Sequence, residues 1–167
     1  MADTKYLEAL IEAIKFVYER SDGYFKTTEG RERSMVFRIA HHLANQIEGE
    51  GLFVDIEPTR CEDDVKRMLA IKTNEIGAKI VPDLIIHKRK SISYLVAEFK
   101  CYYDSDDWQK DFDKLVDLTK KGNIPHYEFG TFVYLTNKFE NIEIHIFKDG
   151  CENTKLTKIY QEKFKEK

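Results

Sequence analysis

The run Ile80-Val-Pro-Asp-Leu-Ile-Ile-His-Lys-Arg-Lys-Ser-Ile-Ser-Tyr-Leu-Val-Ala-Glu-Phe-Lys100 constrains the fold more than any other part of this chain. Ile80 to Ile86 is aliphatic and β-branched apart from Pro82 and Asp83, and Ile92 to Phe99 is equally rich in strand formers. The link between them, Lys88-Arg89-Lys90-Ser91, is short and polar, so the two strands are most simply an antiparallel hairpin. Side chains alternate along a strand, which puts Glu98 and Lys100 on one face and Ala97 and Phe99 on the other. An acid and a base that end an apolar strand are costly unless something pairs with them. Either they pair with each other, or they serve a metal and a substrate phosphate.

The second reading has a definite chemistry. Carboxylates from adjacent strands, here Asp83 and Glu98, can hold a hard divalent cation such as magnesium, which prefers oxygen ligands and keeps several of its waters. Lys100 would stand beside it, able to orient an attacking water and to offset charge developing on a phosphate.

Length and composition bound the alternatives. With 167 residues, 42% apolar and 34% charged, the chain is expected to be a single soluble domain, residues 1–167. No run is long enough to span a membrane and Met1-Ala-Asp-Thr-Lys5 lacks an apolar signal core, so a cytoplasmic protein without membrane contact is expected. Cys61, Cys101 and Cys151 have no zinc-like spacing and read as reduced and structural. A net charge of −3 argues against coating nucleic acid by bulk electrostatics. It leaves room for a local basic patch, of which Lys88, Arg89 and Lys90 are the obvious one, although such a turn also suits plain solvent.

Taken in order, Leu7, Leu10, Ile11, Ile14 and Val17 recur at helical spacing over residues 3–20. That apolar face packs on its own domain or, in a candidate homodimer, on a second copy. A second helix, from near Thr28 to Ile47, carries Met35, Val36, Ile39, Leu43 and Ile47 on one stripe. Glu32 falls on the same stripe, facing a core or cleft, or else simply favours the helix dipole in the first turn; Glu29 is its substitute. His41 and His42 are adjacent and cannot make the i, i+4 metal grip. Leu52 to Glu57 reads as a strand whose Asp55 and Glu57 form the polar side of an edge or bind metal. Asp63 to Ile71 could form a short helix, with Arg60, Lys66 and Arg67 suited to phosphate or solvent.

After Lys100, Trp108, Phe112, Leu115 and Val116 mark a third helix, capped by Ser105 or Asp106 and stopped at Lys121-Gly122. Lys110 and Lys114 lie on its outer side as surface lysines, Lys114 being also a candidate phosphate contact. Strands are expected over Gly130–Thr136 and Ile142–Phe147, with a turn at Asn137–Asn141 and a last helix over about 155–165. The order gives an α/β (α+β) fold with a mixed central sheet flanked by helices: an antiparallel meander of three strands, then a helical crossover to a parallel neighbour.

Pro82-Asp83, fourteen residues, then Glu98-Phe99-Lys100 resembles the signature of the PD-(D/E)xK nuclease superfamily, whose restriction-endonuclease-like core shares this element order over roughly residues 28–147. Asp55-Ile-Glu57, His87-Lys-Arg89, Lys114-Leu115 and Tyr127-Glu-Phe-Gly130 look like its small bacterial members. The resemblance implies a magnesium- or manganese-dependent nuclease that cuts DNA in preference to RNA. Asp83, Glu98 and the Phe99 carbonyl would ligate the ion, Lys100 would assist the water, and Glu32 would hold a metal-bound water or a second ion. His87, Lys88, Arg89, Arg60 and Lys114 would meet the nucleic acid. The alternative is a non-catalytic nucleic-acid-binding or regulatory module on the same fold.

Overall fold

The computed structural model describes residues 4–20, 32–47, 51–57, 81–88, 93–101, 108–123 and 125–165. The elements run α1 (Lys5–Glu19), α2 (Glu32–Ile47), β1 (Phe53–Ile56), β2 (Leu84–His87), β3 (Ser93–Cys101), α3 (Gln109–Thr119), β4 (Tyr127–Leu135), a 3-10 turn (Phe139–Asn141), β5 (Glu143–Lys148), β6 (Cys151–Glu152) and α4 (Thr154–Lys163). The strands form one sheet in the order β1-β2-β3-β4-β5-β6. β1, β2 and β3 are an antiparallel meander, β3 and β4 are parallel, and β5 and β6 return antiparallel. The chain thus has the mixed-sheet α+β architecture of a restriction-endonuclease-like core. The parallel pair exists because α3 carries the chain back across the sheet, the crossover that parallel strands require.

Each face of the sheet has its own core. Leu84, Ile86, Leu95, Ala97, Phe99 and Cys101 pack with the buried residues of α1 and α2 and with Tyr160 of α4. The opposite face carries Ile85, Val96, Phe132 and Phe147, covered by Leu115 and Leu118 of α3 with Trp108 and Phe112 beside them. The period-2 alternation of the strands therefore sorts β2 and β3 cleanly between two layers. α3 comes very close to β4: a Cβ added at Gly130 would stand 3.0 Å from Thr119 Cγ2 and 3.3 Å from Leu115 Cδ2.

The apolar face of α1, including Leu7, Leu10, Ile11, Ile14 and Val17, is buried inside the protein's own core. That face therefore cannot hold a homodimer together. The α2 stripe of Met35, Val36, Ile39, Leu43 and Ile47 is buried as its spacing required. Gly122, at φ +88°, stands just beyond α3 where the stop was expected. Two features escaped the sequence pattern: the two-residue edge strand β6, and Asn153, whose side chain accepts from the Leu156 amide to cap α4. Glu29, Arg60, Lys66, Arg67, Arg89, the helix expected over residues 63–71 and the caps at Ser105 or Asp106 lie outside the described residues. No helix among those described is long and apolar enough to cross a membrane.

Candidate active site

β2 begins immediately after Asp83, and its register pairs Leu84 with Ala97. One step further along that register, Asp83 stands opposite Glu98, and antiparallel partners point to the same face. The Phe99 amide donates to Asp83 Oδ2 at 2.8 Å. This bond works as a ladder rung made by a side chain where the β2 backbone has not yet begun, and it fixes the aspartate at the mouth of the hairpin.

Glu98 is 3% exposed, and Lys114, reaching over from α3, donates to its Oε2 at 2.8 Å. The second oxygen, Oε1, is buried with no hydrogen-bond partner. An unsatisfied buried acceptor costs about 1–3 kcal/mol. Asp111, also on α3 and 8% exposed, lies 3.5 Å from Lys114 Nζ and 3.7 Å from Lys100 Nζ. Three elements thus contribute to one ionic group: Asp83 before β2, Glu98 and Lys100 on β3, and Asp111 and Lys114 on α3.

Electrostatics report the crowding. Burial, then the neighbouring Asp83, pushes the Glu98 carboxyl up to about 8, with Lys114 pulling it back only in part. Burial likewise raises Asp83 above the ordinary carboxylate range, against the pull of the Phe99 amide and Lys114. For Lys114 burial works against the charge, but Glu98, Asp111 and Asp83 outweigh it and hold the ammonium above the usual lysine range. A buried and a half-buried carboxylate that repel one another, one with an oxygen left over, suit a hard cation and its waters.

The expected residues meet different fates. Asp83, Glu98 and Lys100 come together. Among the described residues no three His, Cys, Asp or Glu side chains converge to hold a metal, so Glu32 is not drawn into a three-carboxylate group with Asp83 and Glu98. The start of α2, which Glu32 opens, does reach this end of the sheet: Arg33 pairs with Glu57 at 2.8 Å, and the Glu57 amide donates to the Asp83 carbonyl at 3.1 Å. His87 is a correction: it is 4% exposed and bonded to Asp55 Oδ2 at 2.7 Å, so it does not offer itself to a phosphate. That pair accounts for Asp55 as the polar side of edge strand β1. Lys88 is exposed at the end of β2.

Lys114 is the second correction, because it points inward to Glu98 and is not a surface lysine; Lys110 is the exposed one. Asp111 was missed. The signal lay in its spacing, for Asp111, Leu115 and Leu118 make one buried i, i+4, i+7 stripe on α3. His41 and His42 are apart from the site: the His42 ring stacks on Phe16 with centroids 3.7 Å apart, and His41 lies parallel to Phe37.

No family model matches this chain, and no curated protein does. Among solved structures, one described as a cryo-EM structure of a DrdV–DNA complex is similar over 93% of this chain at 17% identity, with a TM-score of 0.46. This chain spans 14% of the length of that one.

Proposed function

We propose that this chain is a metal-dependent nuclease that hydrolyses phosphodiester bonds, with DNA the first substrate to test and RNA the second. The observation that carries the reading is the coupled pair of carboxylates, buried Glu98 and half-buried Asp83, with Glu98 Oε1 left without a partner beside two lysines. A purely structural ion pair has no use for a second acid beside it or for a spare buried oxygen. Asp83 and Glu98 would hold magnesium or manganese. Within an extended strand the N–H and C=O of one residue point to the same side. The Phe99 carbonyl therefore faces the same gap as the amide that Asp83 engages and is available as a third oxygen.

When bound, such a cation polarises a phosphate oxygen and makes its water a better nucleophile. The remaining work belongs to the chain. Lys100, on the same face as Glu98 and with its side chain 21% exposed, can reach a phosphate at the mouth of the hairpin, orient the attacking water and neutralise developing charge. Asp111 keeps that ammonium aimed along β3. The aromatic layer of Trp108 and Phe112 beside it excludes water from the α3 side and so strengthens every charge interaction within. Exposed Lys88, at the far end of β2 from Asp83, is a contact for a more distant phosphate of the same nucleic acid.

Supercoiled plasmid, single-stranded DNA and a short RNA, each incubated with the protein in magnesium, manganese or chelator, test the proposal. Cleavage that needs the metal and falls by about a hundredfold or more in Lys100→Ala, the scale for losing a transition-state contact, is expected. If all three substrates survive while manganese binds, the reading gives way to a non-catalytic nucleic-acid-binding or regulatory module on this fold.

A further inference from the structure

Lys114 is a puzzle if the carboxylates are there to bind a cation, because an ammonium already sits on one of them. A lysine acting as a stand-in for the metal would bridge the two acids. Lys114 does not: its Nζ contacts Glu98 Oε2 at 2.8 Å and Asp111 Oδ1 at 3.5 Å, and among the described residues it makes no ion pair with Asp83. The two carboxylates are held in matching ways. Asp83 is pinned through Oδ2 by the Phe99 amide, Glu98 through Oε2 by Lys114, and Glu98 Oε1 is the buried oxygen that nothing engages. Lys114 is itself fixed, since Leu115 and Leu118 seat α3 on the sheet and Asp111 braces the ammonium from the preceding turn.

We propose that Lys114 is a positioning residue of the cation site: by holding Oε2 of Glu98 it fixes that carboxylate with Oε1 turned to the cation shared with Asp83. A ligand with one oxygen tied to a rigid helix loses less freedom when the other oxygen binds, which is why groups behind metal ligands commonly set affinity. The inference rests on reading Asp83 and Glu98 as a cation pair. It does not require that the cation cut anything.

Manganese titration by calorimetry on the full chain tests it without reference to activity. Lys114→Met is expected to bind roughly tenfold or more weakly, the scale for losing a partner behind a metal ligand. Lys114→Arg should recover part of the loss, and Lys110→Met, on the exposed side of the same helix, should match wild type. Lys114→Met binding as tightly as wild type, or more tightly, overturns the proposal, since the lysine would then be idle or a competitor. Wild type that binds no manganese overturns the cation pair as well, which separates the two failures. Should Lys114→Met not fold, the wild-type protein still decides: in lysine-ammonium NMR the Lys114 signal should persist as magnesium is added, and its release by magnesium overturns the assignment.

Discussion

β3 and β4 are parallel neighbours of nine residues each, with the same succession of buried and half-buried positions, yet they are filled in opposite ways. Register sets Glu98 against Phe132 and Lys100 against Tyr134. The same helix covers both: Trp108 and Phe112 pack on Phe132 at centroid distances of 5.0 Å, while Asp111 and Lys114 meet the charges of β3. An aromatic filling of this layer therefore fits the geometry, and it carries none of the desolvation cost that buried ions incur. The comparison teaches that the ionic filling of β3 is not demanded by the fold.

Breaking the β4 side should cost the most stability and the least function. Phe132→Ala is expected to destabilise by about 3–5 kcal/mol, as core aromatic truncations do, and to leave manganese affinity unchanged when folded protein is titrated; a lost metal site would mean that the two sides are not independent. The β3 side should behave differently. Lys114→Met strands a buried carboxylate and should cost about 3 kcal/mol above the Glu98 titration, whereas Glu98→Leu with Lys114→Met should fall within about 1 kcal/mol of wild type. Urea unfolding of the single and double variants measures the difference, and a double variant no better than the single would make the pair structural after all.

The smallest expected effect is in pH. In chelator, Glu98 titrates near 8 in the folded protein against an ordinary 4.5, and Asp83 is shifted in the same direction. The folded state holds these protons more tightly than the unfolded one, so the stability they contribute is complete below the ordinary value and is lost as pH climbs through about 8. A decline on the order of 2 kcal/mol between pH 5 and 9 is expected. Glu98→Gln should flatten most of it. A flat wild-type profile would show that Glu98 is not the strained side of the comparison.

The β3 half of this contrast was legible in the sequence and the helical half was not, for a physical reason. Strand alternation is exact over short runs, so Glu98 and Lys100 could be assigned to one face, and the polar link fixed the hairpin that brings Asp83 alongside. On α3 the wide apolar stripe of Trp108, Phe112, Leu115 and Val116 blurs the boundary between covered and exposed sides. Lys114 sits at that boundary, where a long side chain can turn either way, and Glu98 on the strand beneath it decides. His87 follows the same logic: the basic run after it points to a surface, while Asp55, 32 residues earlier, supplies the partner that takes it inside.

Far from the acids, Tyr160 on the last helix donates its hydroxyl to Glu8 on the first at 2.8 Å, and Lys163 reaches the same carboxylate. These contacts join residues about 150 positions apart, and because loop-closure entropy grows only with the logarithm of the span, such a pairing costs little more than a much shorter one. The last helix thus grips the first through Glu8, while the apolar face of the first is covered chiefly by α2 and the sheet. Removing the last helix would therefore strip Glu8 of its partners rather than lay bare the apolar face of the first helix.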